Sequence, residues 1–329
     1  MAKDLYCRLG IPGSLLRLAG FSKQPRLFIF TYHRVSGVSE NSPYLAVPSD
    51  AFEKHMSFIK DNFKLVSLSE GVEILSKDTS GGMYAAITFD DGYMDNYVHA
   101  FPILKKHRVP ATIFLTTDFI GKENLFWWDR VFNVVSLTEH DTINVSLDSN
   151  VLEFRLNGQD REEVTDNINE ILLERKESEI EFLVQGLEAR YLNDKDLKPC
   201  SMLGWDEARK MCGGLINFGS HTKTHRNLCL LNDVEALEEL TGSKKKIEQE
   251  LGVEVNEFCY PYGLLDKRIK DLTCQAGFEY ARTASQGSNS RGTDRFLLNY
   301  IGVGSLLRTD FLAARVSSNL FKTGKGVIA

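Results

Sequence analysis

"AITFDDGYMDNY", residues 85–96, joins a strand-like pattern to charges that a buried strand end does not ordinarily carry. The apolar run 85–89 is followed by two adjacent aspartates, Asp90 and Asp91, and then by Gly92. Neighbouring carboxylates repel each other, and burying either is costly unless a partner compensates its charge. A bound cation is one such partner, although paired aspartates before a glycine also occur in ordinary turns. The stretch therefore predicts a buried strand that ends at a turn or at a metal site.

Around this stretch, short apolar segments alternate with amphipathic ones. The strand-like segments are rich in β-branched and aromatic residues, whereas the helix-like segments place apolar residues on one face. In chain order they are strand 26–33, helix 49–63, strand 83–90, helix 94–107, strand 111–117, helix 204–212, strand 215–221, helix 234–251, a strand that runs into a proline turn (256–263) and helix 265–276. This alternation predicts an α/β fold, a parallel sheet or barrel with helices outside, whose chemistry lies at the C-terminal ends of the strands.

The alternation stops between residues 121 and 202. There "LFWWDRVFNVV" has a helical pattern, "INVSLDSNVLEF" has the pattern of a β-hairpin, and 160–190 is a charged helical stretch. We interpret this part as an inserted helical and hairpin subdomain. The predicted organisation is an N-terminal helical extension (1–25), a catalytic domain in two parts (26–120 and 203–310), the insertion (121–202) and a C-terminal tail (311–329).

Composition and charge narrow the function classes. The net charge of −6 and pI near 5.7 argue against broad nucleic-acid binding, which needs a clustered basic face. Six scattered cysteines without a C-x-x-C pair favour a reducing compartment. Because the chain shows neither a signal-peptide pattern nor an apolar run of membrane-span length, we expect a cytoplasmic protein. Apolar and basic residues within 4–21 leave peripheral membrane contact open.

A second chemical motif, "GSHTKTH", places His221 and His225 at the end of another predicted strand. Two neutral imidazoles and one carboxylate form a three-ligand set that leaves a position for water, as in catalytic zinc sites. The remaining aspartate would then stay ionised and could take a proton from that water. Histidines at this spacing are often surface residues, but their place at a strand end favours a metal site. A non-haem iron triad uses the same donors and does not explain the second aspartate.

Three motifs in this order, "TFDDGY" (88–93), "SHTKTH" (220–225) and "YPYG" (260–263), resemble those of polysaccharide deacetylases. The family is carbohydrate esterase family 4, the NodB-homology group, and the resemblance spans about residues 26–120 and 203–303. It implies a distorted, incomplete (β/α) barrel and metal-dependent hydrolysis of an N- or O-acetyl group on a sugar.

The resemblance also implies roles for individual residues. Asp90 matches the general base, whereas Asp91, His221 and His225 match the metal ligands. The implied cofactor is a divalent metal, Zn2+ in the first place, with Co2+ or Ni2+ as alternatives. Tyr262 matches the position whose backbone N–H helps to bind the oxyanion.

Several positions depart from the family pattern. Cys259 stands where the third motif begins with an arginine, and no histidine follows His225 to supply the usual general acid. The motif "TYHRV" (31–35) resembles that of the exopolysaccharide-deacetylase subgroup, in which this histidine takes the acid role, so His33 is the predicted acid. Arg282 is the only charged residue at its strand end and could replace the missing arginine by gripping a carboxylate.

Three residues complete the predicted site as substrate contacts: Tyr260, Arg282 and Trp128. Trp128 and its aromatic neighbours could form a wall on which a sugar ring stacks, or they could be core residues on the buried face of a helix.

The expected function is metal-dependent removal of N-acetyl groups from amino sugars of a polysaccharide or its precursor. The expected partner is therefore an acetylated amino-sugar polysaccharide or oligosaccharide rather than a nucleic acid. Two alternatives stay open: a deacylase or deformylase of a lipid-linked or small amino sugar, and a degenerate carbohydrate-binding protein that keeps the pocket without turnover.

Overall fold

The computed structural model describes residues 24–37, 44–77, 81–123, 126–147, 150–192, 201–304 and 309–319. The predicted N-terminal extension (1–25) lies outside the described residues except for its last two positions, and the predicted tail (311–329) lies outside them after residue 319. The chain divides into two compact units, residues 1–122 together with 202–329, and residues 123–201.

The predicted strands 26–33, 83–90, 111–117 and 215–221 are present with their ends shifted by one or two residues, whereas the strand within 256–263 already ends at Cys259. Four short strands, at 34–36, 46–48, 64–65 and 298–302, have no predicted counterpart. The strands of the described residues are β1 (Pro25–Tyr32), β2 (Arg34–Ser36), β3 (Ala46–Pro48), β4 (Lys64–Leu65), β5 (Gly82–Phe89), β6 (Ala111–Leu115), β7 (Thr142–Leu147), β8 (Asn150–Arg155), β9 (Ile216–Ser220), β10 (Glu257–Cys259), β11 (Tyr280–Gln286) and β12 (Leu298–Gly302).

Seven parallel strands of the first unit close into a barrel, in the order β1-β12-β11-β10-β9-β6-β5. Eight residue pairs between β5 and β1 complete the ring, and the short β4 pairs with Tyr84 and Ala85 in the first half of β5. The predicted (β/α) barrel is therefore confirmed. It is incomplete beside the eight strands of a full barrel, and it is irregular where β11 and β12 shift register between Arg282 and Gln286.

The helices of the described residues follow the predicted alternation. They are α1 (Ser49–Asn62), α2 (Leu68–Ser76), α3 (Phe101–His107), α4 (Trp127–Leu137), α5 (Arg161–Leu173), α6 (Glu177–Tyr191), α7 (Trp205–Met211), α8 (Asp233–Leu251), α9 (Lys267–Gln275) and α10 (Thr309–Asn319). The predicted helix 94–107 is in fact a π-helical turn, Asn96–Ala100, that leads into α3. Among the helices in these ranges, none is both long and apolar enough to cross a membrane.

The alternation of side chains along the strands builds two layers of core. On β1, Phe28, Phe30 and Tyr32 belong to the large core that also takes in α1. Leu27 and Ile29, which point the other way, belong to a smaller core with inward residues of the other strands. The barrel interior is therefore packed with side chains near its N-terminal end, and its C-terminal end is left for polar groups.

The second unit has a core of its own. Strands β7 and β8 pair as the predicted antiparallel hairpin, and α4, α5 and α6 surround a cluster of buried aliphatic residues. The charged stretch 160–190 forms two helices rather than one: the first ends at Leu173 and the second begins at Glu177. Arg130 of α4 donates hydrogen bonds to Glu188 and Glu181 of α6 and joins these helices.

Candidate metal centre and active site

The C-terminal ends of three barrel strands bring the predicted site residues together. His33 follows β1, Asp90 and Asp91 follow β5, and His221 follows β9. The Asp90 N–H donates to the Tyr32 carbonyl at 3.0 Å, so the pairing of β5 with β1 continues one residue beyond the strand. This hydrogen bond fixes the first aspartate next to the residue that precedes His33. The site thus lies at the edge of the barrel where such folds place their chemistry.

Asp91, His221 and His225 form a compact buried cluster. Asp91 Oδ1 lies 3.4 Å from His225 Nε2 and 3.6 Å from His221 Nε2, and the two Nε2 atoms are 3.1 Å apart. The backbone adopts left-handed conformations at Asp91 (φ 73°) and His225 (φ 63°). Such conformations cost of order 1–3 kcal/mol for residues other than glycine, and they are concentrated at functional sites. The cluster is therefore maintained against local backbone preference.

The surroundings of His221 define its protonation state. Its Nδ1 lies 2.7 Å from the carbonyl oxygen of Cys259, so Nδ1–H donates to that carbonyl and Nε2 faces Asp91. Burial, together with the nearby His225, lowers the pKa of His221 to about 4. The ring is consequently neutral at neutral pH, and a neutral imidazole is the form that binds metal ions.

The donor set of this cluster fits a divalent cation. Both carboxylate oxygens of Asp91 are buried and have no hydrogen-bond partner among the described residues, which is a costly state for an ionised group. The three donor atoms lie within 4.8 Å of one another, and two imidazoles with one carboxylate are a ligand set of catalytic zinc. Asp90, His221 and Cys259 form a second such group. It fits a metal less well, because burial raises the pKa of the Cys259 thiol well above its usual value and disfavours the thiolate.

Both aspartates are ionised at neutral pH. Burial alone would raise the pKa of Asp91, but the adjacent imidazoles, His225 first, lower it to about 2. Burial also opposes the ionisation of Asp90, yet the guanidinium of Arg282 and then His33 hold its pKa below the ordinary value. In the described residues Asp90 Oδ1 accepts no hydrogen bond, so this oxygen is available to a proton donor.

Arg282 holds Asp90 from inside the barrel. Its Nη2 donates to Asp90 Oδ2 and lies 2.8 Å from Cys259 Sγ. Its Cζ lies 5.1 Å from the ring centroid of Tyr300 and 5.8 Å from that of Phe114, so aromatic rings flank the guanidinium. The structure thus brings this arginine of β11 to the carboxylate, whereas β10 carries a cysteine at position 259.

His33 is more accessible than the Asp90 carboxylate and the Arg282 guanidinium beside it. Its Nε2 lies 3.8 Å from Asp90 Oδ2, and its side chain is 29% exposed, against 7% for Asp90 and 3% for Arg282. This geometry places an imidazole at the opening of the site, on the same oxygen that Arg282 binds.

The remaining predicted residues occupy different surroundings. Tyr262 has a left-handed conformation (φ 58°), and its ring packs edge-on against His225 with centroids 4.6 Å apart. Tyr260 is 1% exposed and packs against Phe258 in the large core, so its predicted contact with substrate receives no support. Trp128 belongs to the second unit, where it is buried and its ring stacks on Phe126, and its contact with substrate stays a prediction.

One buried ion pair next to the site was not predicted from the sequence. Arg34 Nε donates to Asp95 Oδ2 at 2.8 Å, and Arg34 Cζ lies 4.4 Å from the ring centroid of Tyr93. The sequence feature from which this pair could have been predicted is that the two quoted motifs around His33 and Asp90 carry opposite charges, at Arg34 and Asp95.

The family model for polysaccharide deacetylases matches residues 77–281, which is more than half of the chain and includes Asp90, Asp91, His221 and His225. The chain belongs to the polysaccharide deacetylase family. This confirms the resemblance drawn from the three motifs, although the match by itself says nothing about the roles of single residues.

Relatives of this polysaccharide deacetylase family member include proteins of two bacteria. The Bacillus subtilis protein YxkH is 40% identical over 104 residues, which are 31% of this chain and 36% of that protein. A poly-β-1,6-N-acetyl-D-glucosamine N-deacetylase of Staphylococcus epidermidis is 34% identical over 91 residues, 27% of this chain and 31% of that protein. The matched segments thus span about a third of the length of these curated relatives.

Solved structures share the fold. The Streptococcus pyogenes deacetylase PplD in complex with acetate superposes with a TM-score of 0.59 at 17% identity, over 91% of this chain and 100% of that chain. IcaB from Ammonifex degensii has a TM-score of 0.58 at 19% identity, over 90% and 97% of the two chains. At these identities the similarity shows the barrel fold alone.

Proposed function

We propose that this chain is a metal-dependent hydrolase that removes N-acetyl groups from amino sugars of a polysaccharide or its precursor. The observation that carries the proposal is the buried Asp91 carboxylate, unpartnered by hydrogen bonds among the described residues, against two imidazoles and beside a second ionised carboxylate, Asp90. Family membership supports an acyl group on a sugar as the substrate. The name of the Staphylococcus epidermidis relative supports an N-acetyl group on a glucosamine polymer.

Asp91, His221 and His225 would hold the metal, for which we propose Zn2+, with Co2+ or Ni2+ as alternatives. Such an ion supplies Lewis acidity that lowers the pKa of a water molecule and polarises the acyl oxygen. The chain prepares these ligands in advance, because the Cys259 carbonyl fixes the tautomer of His221 and Asp91 is already ionised.

Asp90 acts as the general base. It is ionised, and its Oδ1 is unoccupied by any hydrogen bond from the described residues, so it can accept the proton of the attacking water. Arg282 binds the other oxygen and fixes the orientation of the carboxylate. A base positioned in this way typically contributes ~10²–10⁴-fold to the rate.

His33 acts as the general acid, and Tyr262 contributes to the oxyanion site. An amine cannot leave without a proton, and the His33 imidazole is the partly exposed group that lies within 4 Å of the base, at 3.8 Å. The backbone N–H of Tyr262, in the turn next to His225, would donate to the developing oxyanion, and one such donor is worth ~2.7–4 kcal/mol.

Hydrolysis of a defined oligomer tests the proposal. Chelated protein is reloaded with Zn2+, Co2+ or Ni2+ and incubated with β-1,6-linked N-acetylglucosamine oligomers, and mass spectrometry follows the loss of acetyl groups. We expect acetyl loss that requires metal and falls at least ~100-fold in Asp90→Asn. Activity only on formylated or lipid-linked amino sugars would redirect the substrate. Oligomer binding without turnover would contradict the enzymatic proposal and indicate a carbohydrate-binding protein.

We also propose an intracellular location. Cys212, Cys229, Cys259 and Cys274 are free thiols, which fits the reducing compartment expected from the sequence. Fractionation of producing cells should recover the protein with cytoplasmic markers, and recovery from the medium would contradict this location.

A further inference from the structure

Residues next to His33 are tied to the segment that follows the two aspartates. Asn96 Nδ2 donates to the His33 carbonyl at 2.9 Å. Arg34 Nε donates to Asp95 Oδ2 at 2.8 Å, and the Val35 N–H donates to Asp95 Oδ1 at 3.2 Å. Three consecutive residues that begin at His33 are therefore bound to two consecutive residues just past the base.

The ion pair within this arrangement is largely removed from solvent. The side chains of Arg34 and Asp95 are 11% and 13% exposed, and Asn96 is fully buried. A buried ion pair contributes little to stability compared with apolar residues of the same size, because desolvation offsets the attraction between the charges. A role in defining local geometry accounts for this pair better than a role in stability.

The His33 ring depends on its backbone for its position. Within the ranges that the structure describes, no hydrogen bond holds the imidazole, whose nearest charged partner is Asp90 Oδ2 at 3.8 Å. Asp95 precedes the π-helical turn Asn96–Ala100, a rare conformation that is often found at functional sites. Because this segment continues directly from Asp90 and Asp91, it connects the backbone of the acid to that of the base.

We propose that Arg34, Asp95 and Asn96 form a positioning network that sets the distance between His33 and Asp90. This inference rests on the proposed function, in which His33 gives a proton to the leaving amine. The hydrogen bonds of this network reach the backbone of His33 and Val35 rather than the side chains of His33 and Asp90. They act by holding the His33 carbonyl and the two following residues, so that the ring stays at the opening of the site.

The choice of leaving group separates positioning of the acid from general damage. An amide needs protonation of its nitrogen, whereas an aryl acetate releases a phenolate that departs without a proton. In Asp95→Asn we expect kcat for the N-acetylated oligomer to fall about 10–100-fold and kcat for an aryl acetate to stay within about 3-fold of wild type. Arg34→Lys, which keeps the charge and loses the planar fork, should show the same selectivity.

Three controls complete the experiment. Asp206→Asn removes one carboxylate of an exposed ion pair with Arg209 and should leave both activities unchanged. Bound zinc and the thermal midpoint are measured for each variant. Asp95→Asn combined with His33→Ala should be no slower on the amide than His33→Ala alone, because both changes remove the same step.

The outcomes distinguish this inference from the proposed function. If the variants lose the same activity on both substrates, or keep the wild-type rate on the amide, the positioning role is wrong. The proposed deacetylase function would still stand in that case, provided that the wild-type protein hydrolyses the amide. Wild-type protein that fails to hydrolyse the amide with metal present would overturn both.

Discussion

Replacing Arg282 with methionine should raise the pKa of Asp90 and move the acidic limb of the pH–rate profile to higher pH. Burial favours the neutral form of Asp90, and the Arg282 guanidinium is the largest influence that opposes it. An opposite charge at this distance typically lowers the pKa of a carboxyl by ~1–3 units, so its removal should shift the limb by that amount. The measurement is kcat/KM of the metal-loaded enzyme as a function of pH.

Stability should change with pH in the same variant. In wild type the pKa of Asp90 is lowered on folding, so its contribution to the free energy of unfolding is present above the ordinary carboxyl pKa and is lost as the pH falls through the folded value. Without Arg282 the buried carboxylate loses its main cation. Removing one partner of a buried ion pair typically costs ~3–5 kcal/mol. Urea unfolding of chelated protein should therefore show a larger deficit near pH 8 than near pH 5, where protonation relieves it.

Arg282→Lys is the matched control for this prediction. It keeps a cation near Asp90 and should leave the acidic limb within about one pH unit of wild type, although the loss of the guanidinium geometry should still lower kcat. A pH–rate profile of Arg282→Met that coincides with that of wild type would refute the assignment of Arg282 as the group that keeps the base ionised.

The remaining predictions concern the metal, the acid and the turn beside the site. Asp91→Asn should abolish zinc binding. Zinc at about 100 times the wild-type Kd should therefore stabilise wild type by ~2.7 kcal/mol and leave the unfolding midpoint of the variant unchanged. Equal stabilisation of both proteins would contradict the assignment of Asp91 as a ligand. His33→Ala should lower kcat for the N-acetylated oligomer by ~10²–10⁴-fold with little change in zinc content, as measured in steady-state assays, and a loss only in KM would argue against the acid role. Gly263→Ala should lower the free energy of unfolding by well over ~1 kcal/mol, because the new Cβ would lie 2.1 Å from the Cβ of Ala284 and the backbone has a left-handed φ. Gly252→Ala is the control: its φ is similar but the surrounding space is open, so urea titrations should show a loss of about 1 kcal/mol.

The order of strands and helices predicted a parallel sheet or a barrel, because parallel strands need long return connections, and the resemblance to polysaccharide deacetylases implied the barrel. The sequence did not predict β12, "LNYIG", which is recognisable only through its pairing between β11 and β1. Nor did it predict the break within 160–190, since residues 174–176 contain neither glycine nor proline to end a helix. The first of these features depends on pairing between segments that are distant in the chain.

Some residues of the site could likewise be predicted from the sequence, and others could not. Asp90, Asp91, His221 and His225 could be found because each lies at or soon after a strand end, which the sequence reveals. The contact of Arg282 with Asp90 depends on how strands separated by 192 positions face each other, and the sequence offered it only as one interpretation.

Two further cases concern side-chain direction and pairing. Arg34 and Asp95 are 61 residues apart, and only the fold makes them neighbours. The sequence does not show whether an aromatic residue such as Tyr260 faces a substrate or the core, and the structure places Tyr260 in the core.

The most direct test is anomalous X-ray diffraction at the zinc absorption edge from crystals grown with one equivalent of Zn2+. We expect one dominant peak at about 2.0–2.2 Å from Asp91, His221 Nε2 and His225 Nε2, with Asp90 close by but held by Arg282. A dominant peak bound by other residues, or no peak at this cluster while the protein removes acetyl groups, would contradict the proposed metal centre.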